Sequence, residues 1–262
     1  MLRDYQIEMK TRLMEAWKAH RSVMVQMPTG TGKTHLLASV VSEFVSSAGS
    51  GVWLIAHRRE LVAQMEETLA KYGIRREDTP VRVMSVQWLS RHWNEAGDAP
   101  GLIVIDEAHH ALAASYTEMW KRYPAAKKLG VTATPCRLNR RGFTELFEVL
   151  VTSWSIAEFI EKGVLSVFDY VSIRPGSEEQ RLIDGLEKRG ADGDYQVKEM
   201  DAVLNRRPGI ERLYRSVRQF ASGKKGMVYA ISIEHARRIA EYYSRRGVNA
   251  VAVDLSLIHI SE

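Results

Sequence analysis

The stretch Met24-Val25-Gln26-Met27-Pro28-Thr29-Gly30-Thr31-Gly32-Lys33-Thr34 constrains the fold of this chain more than any other. Apolar residues run into two closely spaced glycines, and Gly-Lys-Thr then opens a segment of helical periodicity, so the pattern reads strand, tight turn, helix. Gly30 and Gly32 reach backbone angles closed to residues with a side chain, which lets successive N–H groups turn inward around an anion. A helix beginning near Lys33 adds its own unpaired N–H groups and the positive end of its dipole. The expected ligand is a chain of phosphates. Pro28, Thr29, Gly30, Thr31 and Gly32 would form the cradle, Lys33 would reach the β- and γ-phosphates of a nucleoside triphosphate, and the Thr34 hydroxyl would ligate its magnesium. The usual pattern opens on a glycine where Met27 stands.

A second stretch supplies the other half of such a site. Leu102-Ile103-Val104-Ile105 is an unbroken apolar run, as expected of a strand buried on both faces of a parallel sheet, and it ends in Asp106-Glu107-Ala108-His109. Acids at the carboxyl end of such a strand sit where open α/β sheets bind ligands. Asp106 is placed to hold magnesium, largely through its water shell, and Glu107 to orient or deprotonate an attacking water.

With these in order, the chain resembles superfamily 2 helicases of the DEAD/DEAH-box type, whose motifs I and II match Pro28–Thr34 and Asp106–His109. Leu2-Arg3-Asp4-Tyr5-Gln6 is similar to the amino-terminal adenine-recognition segment, which implies that the Gln6 amide reads the adenine edge and that Arg3 can stack on the ring. The stretch from Ala56 to Gln64 resembles motif Ia and makes His57, Arg58 and Arg59 candidates for the sugar-phosphate backbone. Val81–Gln87 resembles the next backbone-contacting strand and adds Ser85 and Gln87. Gly130-Val131-Thr132-Ala133-Thr134-Pro135 resembles motif III, so Thr132 and Thr134 would couple ATP turnover to the nucleic-acid groove, with His109 beside Thr132. The resemblance implies ATP and Mg²⁺ as cofactors. It also implies an ATP-driven motor on nucleic acid, with DNA favoured over RNA because Thr132-Ala133-Thr134 looks like the DNA-directed relatives. Nuclease or methyltransferase subunits or domains are implied as partners. The alternative is a non-processive ATP-dependent clamp or scaffold, against which an intact Lys33, Asp106 and Glu107 argue.

Alternating strand and helix patterns predict an α/β fold: a P-loop RecA-like parallel sheet flanked by helices over residues 1–155, then an incomplete second RecA-like domain. A linker is expected over 156–167, including a connecting helix from Ser155 to Gly163. The second domain is expected over 168–254, with strands at Val167–Ile173, Gly226–Ala230 and Asn249–Asp254. Residues 255–262 match no element of the family and read as a non-native tail of translated adapter sequence. Motifs V and VI have no counterpart, and an arginine finger of the kind motif VI supplies is typically worth about 10³–10⁵ in rate. The fragment is therefore expected to bind ATP but to turn it over poorly.

Composition agrees without deciding the matter. No apolar run approaches the ~20 residues of a membrane helix, so a soluble, cytoplasmic protein is expected. Cys136 is the only cysteine, which excludes an internal disulfide and a thiolate zinc site. The net charge of +5 is compatible with nucleic acid. The basic groups Arg137, Arg140 and Arg141, and Arg206, Arg207, Arg212, Arg215 and Arg218, read first as solvated surface.

Overall fold

In the computed structural model, the described residues are 2–57, 60–75, 77–110, 114–135, 143–172, 176–189 and 195–254. The chain divides into two compact units, Met1–Val167 and Phe168–Glu262.

The first unit alternates helix and strand: α1 (Asp4–Ala19), β1 (Ser22–Gln26), α2 (Lys33–Ala48), β2 (Val52–Ala56), α3 (Glu60–Ala70), β3 (Val81–Ser85), the single turn α4 (Val86–Leu89), β4 (Leu102–Asp106), α5 (Ala114–Arg122), β5 (Lys127–Thr132), β6 (Val149–Thr152) and α6 (Ile156–Glu161). The six strands form one sheet in the order β3-β2-β4-β5-β1-β6, and every pairing is parallel. Because successive side chains point to opposite faces of a strand, each strand feeds two cores. Val23 and Val25 pack with Tyr5, Met9, Leu13 and Trp17 of α1 and with Leu36, Val40 and Val41 of α2. Met24, Ile103 and Ile105 point the other way and join Trp53, Tyr116, Met119 and Phe147. The sheet is thus covered on both faces, which the unbroken apolar runs require.

Val149–Thr152 is a strand outside those that the sequence pattern predicts. It pairs with β1, opposite Val23 to Gln26, and its β-branched run was the available signal. Behind it, Ser155 caps α6: its hydroxyl accepts from the Glu158 N–H at 3.2 Å, and the Glu158 carboxylate accepts from the Ser155 N–H at 2.7 Å.

The second unit contains α7 (Ser177–Asp184), α8 (Val197–Leu204), α9 (Arg207–Phe220) and α10 (Ile233–Ser244). Ile210 of α9 packs with Ile239 and Tyr243 of α10, and the Tyr214 ring meets the Tyr243 ring edge-on at 5.1 Å. The three strands expected here are not formed. Among the described residues of this unit the only β-pairing is an isolated bridge between Arg189 and Tyr195. The physical reason is that an extended segment becomes a strand only by pairing, and these segments find no paired strand among the described residues. Tyr170, Tyr229 and Val251 are accordingly exposed. Residues 255–262 and Cys136, Arg137, Arg140 and Arg141 lie outside the described residues.

Candidate functional site at the carboxyl edge of the sheet

Strand register brings the candidate residues to one edge. Gln26 ends β1 level with Thr132 of β5, and Val131 of β5 is level with Asp106 of β4. The glycine loop leaves β1 at this edge and enters α2 at Lys33.

The loop has the cradle conformation. Gly30 and Gly32 have φ of +84° and +78°, the left-handed region that costs other residues roughly 1–2 kcal/mol. A Cβ on Gly32 would also lie 2.4 Å from the Gln6 amide nitrogen, too close to fit. Among the described residues, the N–H groups of Gly30, Gly32, Lys33 and Thr34 donate to no protein acceptor, whereas those of His35 and Leu36 donate to the Gly32 carbonyl. Four donors of one loop are therefore left without a protein acceptor.

Their direction is set from behind. The Tyr5 hydroxyl donates to the Thr31 carbonyl at 2.9 Å, and the Gln6 amide donates to the Thr31 and Gly32 carbonyls, each at 3.1 Å. In a trans peptide the carbonyl and the following N–H point oppositely. Holding the Thr31 and Gly32 carbonyls toward α1 therefore turns the Gly32 and Lys33 N–H groups the other way. The remaining Gln6 oxygen accepts from the Arg3 N–H at 2.8 Å. Gln6 is thus buried and engaged with the loop, a duty the adenine-reading expectation did not contain. Tyr5, to which the sequence motifs assign no role, thus holds the loop from behind. Its ring is held edge-on by Phe159 at 5.1 Å and tilted on Trp154 at 5.4 Å. Thr31 is also scaffold: its hydroxyl, fully buried, donates to the Pro28 carbonyl at 2.7 Å. Thr29 and Thr34 are exposed, and Lys33 is half-buried.

The acidic side of the site is strained and partly buried. Glu107 is the one non-glycine among the described residues with positive φ, at +48°, a conformation costing about 1–3 kcal/mol that persists only where its surroundings enforce it. Its N–H donates to Asp106 Oδ1 at 2.9 Å, which accounts for part of that enforcement. Burial holds the Asp106 carboxyl above the usual carboxylate range. The Glu107 N–H opposes this rise, the Glu107 carboxylate adds to it, and the Lys33 ammonium and the His109 side chain oppose it. Lys33 and Asp106 are therefore in electrostatic reach of each other across the loop. Beneath the turn, Gly130 of β5 leaves room for it: a Cβ there would come within 2.8 Å of the Ala108 Cβ and 2.5 Å of the Phe147 ring.

His109 joins this acid turn to β5. Its Nδ1 lies 2.9 Å from Thr132 Oγ1 and 3.3 Å from Glu107 Oε2. An ionised carboxylate only accepts, so the network places the proton on Nδ1. Thr132, fully buried, accepts from the Thr134 N–H at 3.1 Å and donates to the Thr134 carbonyl at 3.2 Å. Glu107, His109, Thr132 and Thr134 thus form one connected chain of polar contacts.

The other candidates lie further along the same edge. Ser85 is buried and caps α4, its hydroxyl accepting from the Trp88 N–H at 3.2 Å. Gln87 is exposed, and its amide donates to the His57 carbonyl at 2.6 Å, joining the ends of β2 and β3. Arg58 and Arg59 lie outside the described residues. The described residues contain no cluster of three or more His, Cys, Asp or Glu able to hold a metal on their own. The donor set instead suits magnesium shared with phosphate oxygens, which needs only one or two protein oxygens. No helix among the described residues is long and apolar enough to cross a membrane.

Residues 1–137 match the model of the family described as "Type III restriction enzyme, res subunit". Over 233 residues the chain is 27% identical to the 51.5 kDa protein of a Lactococcus phage, covering 88% of this chain and 48% of that protein. Over 205 residues it is 28% identical to the DNA 3'-5' translocase XPB2 of Sulfurisphaera tokodaii, covering 72% and 44%. The solved structure of a nuclease-deletion mutant of the Type ISP restriction-modification enzyme LlaGI, in complex with a DNA substrate mimic, aligns with a TM-score of 0.51 at 11% identity. That alignment covers 99% of this chain and 31% of the other, and it establishes likeness of fold. The chain spans about half the length of the relatives it matches.

Proposed function

Since the chain belongs to the family of type III restriction enzyme res subunits, we propose that it is the nucleotide-binding part of an ATP-dependent helicase or translocase acting on nucleic acid, with DNA favoured over RNA. The observation that carries this reading is that one sheet edge holds four unpaired loop N–H groups together with Lys33, Thr34, Asp106 and Glu107. DNA is favoured because the relative XPB2 is named as a DNA translocase and because Thr132-Ala133-Thr134 follows the DNA-directed pattern.

The residues fit Mg-ATP in kind. The Gly30, Gly32, Lys33 and Thr34 N–H groups receive phosphate oxygens, and the Lys33 ammonium offsets their charge. The Thr34 hydroxyl and the Asp106 carboxylate would hold the magnesium that accompanies the phosphates. Mg-ATP supplies the transferable γ-phosphoryl group. Glu107 orients a water and takes its proton, its carboxylate steadied by His109 Nδ1–H. A change at Glu107 then reaches Thr132 and Thr134 through His109. His57, Arg58, Arg59, Ser85 and Gln87 serve the strand being moved, Ser85 by shaping α4 and Gln87 by its exposed side chain.

The test is steady-state ATP hydrolysis by a chain spanning the full length of the relatives, with and without duplex DNA, single-stranded DNA and RNA. Stimulation by nucleic acid is expected, strongest with DNA. Robust hydrolysis indifferent to all three would refute the motor.

A further inference from the structure

The chain's net charge of +5 conceals a marked asymmetry. Residues 206–246 contain nine arginines and two lysines against three glutamates and no aspartate, a formal +8, so all other residues together are net acidic. That segment is α9, α10 and the turn between them. We propose that the outward face of α9 and the turn that follows it bind the phosphodiester backbone of nucleic acid, a contact carried by the second unit. The proposal deepens the functional reading above and rests on it for the class of ligand.

Compensation within the segment is slight. The three glutamates are spent on exposed pairs one helical turn apart, Glu211 with Arg215, Glu234 with Arg238 and Glu241 with Arg245, and Asp254 lies 3.5 Å from Arg237. Exposed pairs of this kind hold their partners weakly. Arg246 sits over the Tyr242 ring at 3.5 Å, which fixes its position without cancelling its charge. Among the described residues, Arg207, Arg218, Lys224 and Lys225 have no carboxylate within ion-pair reach, and all four are exposed.

The helical geometry gathers these charges. Arg207 and Arg218 are eleven residues apart, three full turns, and so share a face roughly 16 Å long; Arg215 lies beside them, and Lys224 and Lys225 continue past the end of α9. The stripe of Ile210, Leu213, Tyr214 and Val217, which Arg207 and Arg218 border and Arg215 faces away from, is packed on α10. This distinguishes the possible polyanions. A basic amphipathic helix that binds membranes needs its apolar stripe free to insert, whereas here α10 already covers that stripe. What remains outward is guanidinium and ammonium, and guanidinium forks match phosphate oxygens. Binding of this type is independent of base sequence and strongly salt-dependent.

The experiment uses the whole chain and fluorescence anisotropy with labelled 30-residue single strands and 30-bp duplexes of mixed sequence over about 50–300 mM salt. One variant reverses Arg207, Arg218, Lys224 and Lys225 to Glu; a second changes the same four to Ala, guarding against misfolding of the first. A control reverses Lys18, Lys71, Arg75 and Lys121, exposed cations of the first unit. The Ala variant should weaken binding on the order of tenfold at the lowest salt and lower the slope of log affinity against log salt by about 0.9 for each phosphate no longer neutralised. The reversal should weaken it further, and the control by less than about threefold. Unchanged slope and affinity in both patch variants would overturn the proposal, as would equal weakening by the control. Binding to phosphatidylserine vesicles but not to nucleic acid would also overturn it. A chain that binds Mg-ATP and no nucleic acid refutes the patch while leaving the cradle standing; failure to bind Mg-ATP refutes the cradle alone.

Discussion

Replacing Tyr5 by Phe isolates the hydroxyl that orients the phosphate loop. The ring should keep its packing on Phe159 and Trp154, at 5.1 and 5.4 Å, and only the 2.9 Å bond to the Thr31 carbonyl disappears. That carbonyl still accepts from the Gln6 amide at 3.1 Å, so it is not orphaned, and the cost falls near the low end for a buried hydrogen bond, about 1 kcal/mol. Spread over a unit of this size, that lowers the melting temperature by roughly 2–4 °C. If the hydroxyl also aims the Gly32 N–H at the ligand, the same energy is withdrawn from binding, and affinity for a fluorescent ATP analogue drops about fivefold. Competition with tripolyphosphate, which has no base or sugar, should show the same fivefold loss and so trace it to the cradle. A variant with the lowered melting temperature but unchanged affinity for both ligands would refute the orienting role and leave Tyr5 as packing alone. Gln6→Ala, which removes two donors to the loop, should cost more than Tyr5→Phe. Because both donors share Thr31, the double variant should be less than additive.

Lys33→Ala should weaken Mg-ATP binding by at least about tenfold, since it removes a charge-assisted hydrogen bond; Glu107→Gln should bind normally and turn over on the order of 10²-fold more slowly in the longer chain, both measured by titration and hydrolysis assays. Gly32→Ala combines a left-handed φ with a 2.4 Å approach to the Gln6 amide, so thermal melting should show a loss of at least about 1–2 kcal/mol together with loss of nucleotide binding. Asp106 supplies a pH signature. Its carboxyl is raised by burial, so in the folded state it binds a proton at a pH where the unfolded chain has released it, and its contribution to stability falls as pH rises through that interval. Without magnesium, Asp106→Asn should therefore melt higher than the parent near neutral pH, with the gain shrinking as the pH falls through the folded carboxyl's pKa and disappearing only below that of the unfolded chain; a constant difference at all pH values would contradict the burial argument.

The parts of the site that depend on local pattern were legible in the sequence. A strand running into Gly30-Thr31-Gly32-Lys33-Thr34 can hardly place its N–H groups elsewhere, and Leu102–Ile105 had to lie inside the sheet and deliver Asp106 to its edge. The contact between His109 and Thr132 was also anticipated, although only through family resemblance. What stayed hidden depends on long-range packing. No spacing rule announces that Tyr5 and Gln6 reach 25 residues or more along the chain to hold loop carbonyls, or that Thr31 turns inward to Pro28. The strained backbone of Glu107 has no composition cue, since glycine or asparagine would be the usual occupant. In the second unit, the apolar alternation at Gly226–Ala230 and Asn249–Asp254 predicted strands, but alternation describes a side-chain pattern while a strand requires a partner. Arg206–Arg218 reads as ordinary solvated surface in the sequence, and only the packing of α10 on the apolar stripe of its helix sets it apart.

The account stands most directly on calorimetric titration of Mg-ATP into the chain of residues 1–262 and its Lys33→Ala variant. One saturable site in the parent, markedly weakened in the variant and weakened by omission of magnesium, is the predicted result; no binding by the folded parent, or binding that Lys33→Ala leaves unchanged, would contradict it.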